Sequence, residues 1–216
     1  MIVLENLTLR YPGQPNLIEN LSLTIAPGEW VTFKGPLSWG KTSLLRLLAG
    51  MEFPSSGQIT WQGISLRRTG TLNRLRQCTG MIWSTPQFVE RLPLHRNLAL
   101  PLEIQGMARH EITPRIESAL QRVGLSEQQH RFPQQLSSTD QHRLSFARAI
   151  IGRPNLLLVD ELPSPTPRLT SLLQNLLDTF HQSGVTIITS STQDQSMLLP
   201  RGREITINPV SSEVLL

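Results

Sequence analysis

At 216 residues, 38% of them hydrophobic, the chain suffices for one large domain, or a core with a modest insertion, and has no apolar run of the ~18–20 residues that cross a bilayer. Its 20 Lys and Arg against 16 Asp and Glu leave a net charge of +4, mostly arginine scattered along the chain, without the dense basic run of a nucleic-acid face. The one cysteine, Cys78, excludes an internal disulfide and any cysteine-based redox or zinc motif.

The start, MIVLENLTLRY, is strand-like and lacks the basic start, apolar block and small-residue cleavage site of a secretory signal, so no export is expected. Alternating polar and apolar residues at 7–11, 21–25, 30–33 and 58–66, separated by Gly, Pro and Asn, predict strands joined by turns. Between the last two, Leu44, Leu45, Leu47 and Leu48 fall at helical spacing, predicting a helix from Lys41 that ends near Gly50. From Asn97 to Leu125 the pattern is helical, with Ile116, Leu120 and Val123 on one face and Thr113-Pro114 as the expected helix start. Beyond it, 145–151 reads as helix, 156–160 as a fully buried strand, 169–180 as helix and 185–189 as a second buried strand. The closing REITINPV reads as an edge strand. Apolar strands alternating with helices predict an α/β fold with a parallel sheet covered on both faces. No internal repeat or low-complexity tract interrupts it.

GPLSWGKT at 35–42 fits the spacing G-x-x-x-x-G-K-[ST] through Gly35, Gly40, Lys41 and Thr42, after a predicted strand and before a predicted helix. In that setting backbone N–H groups cradle phosphates, the Lys41 ammonium reaches the β and γ oxygens and the Thr42 hydroxyl holds Mg²⁺. LLLVDE at 156–161 ends a buried strand in two carboxylates, at the carboxyl end of a strand in a parallel sheet, where ligands bind. Asp160 is the expected second Mg²⁺ residue and Glu161 the expected polariser of the attacking water.

With these motifs, Tyr11, LSSTDQHRLSFARAII at 136–151, TGMIW at 79–83 and RNLALPLEIQG at 96–106, the chain resembles the ATP-binding subunits of ATP-binding cassette (ABC) transporters over nearly its full length. It is similar in particular to the subgroup around FtsE, LolD and MacB. The resemblance implies a single ABC ATPase domain over 1–216. A P-loop (RecA-like) core with an N-terminal antiparallel β subdomain would occupy 1–84 and 153–216, and an inserted helical subdomain about 85–152. It implies a head-to-tail dimer, homotypic or with another ABC subunit, that holds ATP and Mg²⁺ between the phosphate loop of one subunit and the signature of the other. An integral membrane permease or FtsX-like subunit would be the partner, and the chain would lie in the cytoplasm, peripheral on the inner face of the cell membrane. Tyr11 would stack on adenine, Ser38 would belong to the phosphate loop and Ser137 to the signature. Trp30 and Trp61 would pack the β subdomain.

The departures from the family pattern are specific. Ser38 replaces a loop glycine and strains the turn if a left-handed conformation is required. Trp39 is bulkier than the usual residue and either narrows the approach to the phosphates or faces the dimer interface. Ser84 stands where the family has a glutamine sensor, with Gln87 three residues on. Ser138 and Thr139 replace the signature glycines, Asp140 follows, and 162–167 reads LPSPTP, without the family's downstream Asp. The switch-histidine position holds Thr192 or Gln193. His95, His110, His130, His142 and His181 are expected on helices or loops, in solvent. The expected function is Mg-ATP binding coupled to a membrane partner, with weak hydrolysis. The alternatives are a catalytically inactive scaffolding relative and, from the basic charge alone, a cassette that handles nucleic acid.

Overall fold

The computed structural model describes residues 1–36, 38–161, 167–192 and 202–207. β1 (Ile2–Arg10) and β2 (Asn16–Ile25) pair antiparallel, β3 (Trp30–Lys34) leads into α1 (Lys41–Leu48), and β4 (Ser56–Trp61) and β5 (Ile64–Ser65) form a short hairpin. α2 (Thr69–Cys78) and β6 (Thr79–Ile82) precede three helices, α3 (Leu94–Ile104), α4 (Arg109–Val123) and α5 (Ser138–Ile150). β7 (Leu156–Asp160), α6 (Pro167–Gln182), β8 (Thr186–Ser191) and β9 (Arg203–Thr206) follow. The strands form an antiparallel sheet of order β2-β1-β4-β5 and a parallel sheet of order β6-β7-β8-β3-β9. This is the expected α/β class, with β9 on the expected edge.

β1 shows how local sequence sets packing. Its inward residues are Ile2 and Leu4, then Leu7 and Leu9, so the two-residue alternation breaks in the middle. A register shift between Leu4 and Leu7, with Asn6 at φ 46, supplies the extra residue that turns the second half back to the core. Gly57 lies opposite, where a Cβ would collide with the Asn6 carbonyl oxygen.

The parallel sheet is buried on both faces. Leu156 and Leu158 of β7 point to a core shared with α1 and the antiparallel sheet, whereas Leu157 and Val159 point to a core shared with α3–α6. α1 packs on β7 and β8, and α5 packs on β6, α3, α4 and α6.

Several expectations are corrected. The helical stretch is two helices, with Gly106 at φ 77 between them, and α4 starts at Arg109 rather than at Thr113-Pro114. Ile112 is buried with Ile116, Leu120 and Val123, so the apolar stripe extends ahead of Pro114, whose missing N–H removes one hydrogen bond near the exposed start of the helix. α5 begins seven residues before Ser145 because Ser137 caps it. α2 was not expected. Trp30 lies 3% exposed in the parallel sheet, edge-on to His181 at 5.4 Å, not in the antiparallel sheet; Trp61 does pack on the antiparallel side. Three histidines are engaged rather than solvated: His181 Nε2 is 3.0 Å from the Gly28 carbonyl, His95 Nδ1 is 3.0 Å from that of Gln129, and His142 meets two carbonyls.

Candidate nucleotide site

The loop between β3 and α1 turns on residues that accept unusual backbone geometry. Gly40 stands before the helix at φ 79 with no side-chain cap, which leaves the first N–H groups of α1 facing the loop. A Cβ on Gly40 would lie 2.9 Å from Leu17 Cγ, and one on Gly35 would lie 3.0 Å from the Ile207 carbonyl oxygen and 3.2 Å from Trp39 Cε3. The left-handed backbone and the clash call for glycine at position 40, and a side chain at position 35 would be tightly crowded. Trp39, half-buried, lays its ring over Gly35. Ser38 has φ 67, the left-handed region in which a non-glycine residue is strained by roughly 1–2 kcal/mol.

Six side chains meet beside this loop: Lys41 and Thr42 of α1, Ser84 after β6, Asp160 and Glu161 at the end of β7, and Ser190 of β8. Lys41, 5% exposed, donates from Nζ to the carbonyls of Gly35 (2.7 Å) and Pro36 (2.6 Å), and lies 3.6 Å from Glu161 Oε1. Thr42 Oγ1 donates to Asp160, at 2.9 Å from Oδ1 and 3.1 Å from Oδ2. Asp160, 2% exposed, also accepts from Ser190 Oγ (3.0 Å) and Ser84 Oγ (3.4 Å). The Glu161 N–H donates to the same Ser190 hydroxyl at 2.9 Å, and Glu161 itself has φ 47. Burial holds the Arg148 guanidinium below its ordinary range, and it lies 4.9 Å over the Phe88 ring.

Tyr11 lies next to α1, its hydroxyl 3.1 Å from Ser43 Oγ and donating to Glu52 Oε2 at 2.9 Å. Glu52 in turn faces Arg46 (3.4 Å), whose guanidinium stands 5.7 Å over the Trp83 ring. Within one chain α1 and α5 line cores on opposite faces of the parallel sheet, and the hydrogen bonds of the Ser137 side chain stay within α5. Its hydroxyl caps α5, accepting from the Asp140 N–H (3.2 Å) and donating to Asp140 Oδ2 (2.9 Å), and Arg143 holds the other Asp140 oxygen at 3.2 Å. His142 straps this helix start to the loop after β6, with Nδ1 2.8 Å from the Ser138 carbonyl and Nε2 3.2 Å from that of Ser84. Gln87 is exposed and Thr192 half-buried; Gln193 and residues 162–166 lie outside the described residues.

Ser190 and His142 are the residues that sequence reasoning missed. A signal existed for the first: Thr189, Ser190 and Ser191 end a wholly buried strand in three consecutive hydroxyls. Nothing in the spacing marks His142.

A parallel sheet with a phosphate loop after one strand, two acids at the end of another and a flanking antiparallel sheet defines the ABC ATPase cassette fold. A dimeric ATP-binding cassette solved in a post-hydrolysis state with ADP and Pi superposes with a TM-score of 0.87 at 24% identity, covering 96% of this chain and 94% of that one. A second dimeric cassette structure gives a TM-score of 0.85 at 23% identity, over 96% and 94%. Residues 18–164 match the family model for the ABC transporter. The chain belongs to the ABC transporter family. It is 36% identical over 194 residues to the methionine import ATP-binding protein MetN of Carboxydothermus hydrogenoformans, covering 87% of this chain and 58% of that protein. Against the spermidine/putrescine import ATP-binding protein PotA of Nitrosomonas eutropha the identity is 35%, over 92% of this chain and 54% of the relative. Against the cell division ATP-binding protein FtsE of Escherichia coli it is 33%, over 93% and 91%. The chain thus spans a little over half the length of the first two relatives and nearly all of the third. Among the described residues no helix is long and apolar enough to cross a membrane.

Proposed function

We propose that the chain is the ATP-binding subunit of an ABC-type membrane complex, binding Mg-ATP between two cassettes and hydrolysing it slowly. The observation that carries this reading is the convergence of Lys41, Thr42, Asp160 and Glu161 on one loop. A buried ammonium held by carbonyls that phosphate oxygens can replace suits a polyphosphate, and the exposed start of α1 adds N–H donors to it.

Thr42 and Asp160 offer a hydroxyl and a carboxylate within hydrogen-bond distance of one another, an oxygen-only pair of the kind Mg²⁺ takes together with substrate phosphates and water. Bound there, Mg²⁺ would neutralise charge developing on the phosphates. Glu161 is the candidate to orient water, Tyr11 to stack on adenine beside α1, Gly35, Ser38 and Gly40 to shape the phosphate cradle, and Ser137 to serve the loop of a second subunit. The division into a core with β subdomain (1–84 and 153–216) and a helical subdomain (about 85–152) belongs to the same reading. So do kinship with the FtsE-like subgroup, an integral membrane permease or FtsX-like partner, and a cytoplasmic place on the inner face of the membrane. Coverage of 91% of FtsE, against 58% of MetN, supports the subgroup.

Slow hydrolysis is supported by Ser84, whose short side chain already leans on Asp160, by Glu161 leaning toward Lys41 with a left-handed backbone, and by Ser138 and Thr139 in the capped start of α5. One missing preorganised contact typically costs about 2.7–4 kcal/mol, or roughly 10²–10³ in rate. The second reading, an inactive scaffold of such a complex, rests on the same features. ATP turnover of the purified complex decides: a rate of about 1 per second or faster, abolished by Glu161→Gln, refutes slow hydrolysis, and no turnover with intact ATP binding selects the scaffold.

A further inference from the structure

A cavity of about 640 Å³ opens between α4, the turn joining α5 to β7, the end of α6 and the start of β8. It lies at the other end of the parallel sheet from the phosphate loop. Asn155 and Val185, on its wall, precede β7 and β8, whereas Asp160 ends β7, and five strand residues span ~16 Å. Its volume is that of a small-molecule site. Ile150, Phe180 and Val185 give it an apolar wall, and three guanidinium groups border it: Arg115, Arg122 and Arg153.

No acidic residue lines the cavity, and none of the three guanidinium groups has a hydrogen-bond or ionic partner among the described residues. Arg115 and Arg122 are seven residues apart on α4, two turns along one face, which separates their backbones by ~10 Å. Arg153 comes from the turn into β7 and has φ 52, a conformation that glycine or asparagine adopts more readily. Stabilising a helix dipole accounts for cations near the ends of α4 and α5, but not for Arg115 in mid-helix, nor for an arginine in left-handed backbone. Arg115 is half-buried and Arg122 and Arg153 are exposed, so the rim of the cavity carries three positive charges that an anion can pair with.

We propose that this cavity binds a small organic anion carrying two or more carboxylate or phosphate groups on an apolar body. Planar guanidinium forks match both anions in bidentate geometry, and the apolar wall selects against a bare inorganic ion. The site is separate from the nucleotide loop and independent of its reading.

The test is calorimetric titration of benzene-1,3,5-tricarboxylate and of inorganic pyrophosphate into the full chain, its Lys41→Ala variant and an Arg115→Gln, Arg122→Gln, Arg153→Asn triple variant. The tricarboxylate is expected to bind the first two alike and saturably, and the triple variant at least about tenfold more weakly, the loss of one charge-assisted hydrogen bond or more. Pyrophosphate binding that survives Lys41→Ala is expected to be weaker than that of the tricarboxylate. No saturable tricarboxylate binding to the wild-type chain, or equal binding to a triple variant that melts like wild type, overturns the proposal. Should the triple variant melt early, Arg115→Gln alone carries the test, with the same requirement of weakened binding.

Discussion

Ser190 occupies the point where the two strand-end acids are set. Its hydroxyl, 1% exposed, donates to Asp160 and accepts from the Glu161 N–H, so one oxygen fixes a carboxylate and the left-handed backbone that follows it. Ser190→Ala leaves a buried N–H without a partner and is expected to lower unfolding free energy by about 1–3 kcal/mol in urea denaturation, and to raise the Mg²⁺ concentration needed for nucleotide binding. An unchanged denaturation midpoint contradicts this role. Ser38 gives the opposite case. Its φ of 67 is strain that glycine relieves, so Ser38→Gly is expected to stabilise the fold by about 0.5–1 kcal/mol in the same measurement, after the entropy glycine adds to the unfolded chain is subtracted. The loop and the acids are legible in the sequence because their demands are local: glycines at fixed spacing, a lysine at a helix start, carboxylates at a strand end. Ser190 was overlooked because its meaning depends on which strand lies beside β7, which periodicity does not reveal.

At the scale of elements, the helical start that carries Ser137 is joined to the acidic pair through side chains. His142 reaches from α5 to the Ser84 carbonyl, and Ser84 Oγ reaches Asp160. Each imidazole nitrogen of His142 faces a carbonyl oxygen, so removing the ring frees the loop after β6 from the helix. His142→Ala is expected to speed amide hydrogen exchange at residues 83–85 about tenfold or more, with α5 itself remaining protected. Equal exchange in both proteins removes the strap from the account. The buried strands β7 and β8 and the leucine-rich α1 are readable as elements because their apolar residues are dense. α2 is not, because only Thr71 and Leu75 of its ten residues are buried. The start of α4 is not legible from Thr113-Pro114, because the apolar stripe beginning at Ile112 outweighs the one hydrogen bond that the proline removes.

For the whole molecule, the proposed site takes Ser137 from a second cassette. Sedimentation of Glu161→Gln with Mg-ATP is expected to show dimers that disperse when ADP replaces ATP; a monomer under both conditions contradicts a shared site. The seam between α4 and the start of β8 is assembled from residues far apart in sequence, so no motif announces it. The account depends above all on nucleotide binding. Titration calorimetry of Mg-ATP into the 216-residue wild-type chain is predicted to give saturable binding that Lys41→Ala abolishes, whereas no heat of association with either ATP or ADP would contradict it.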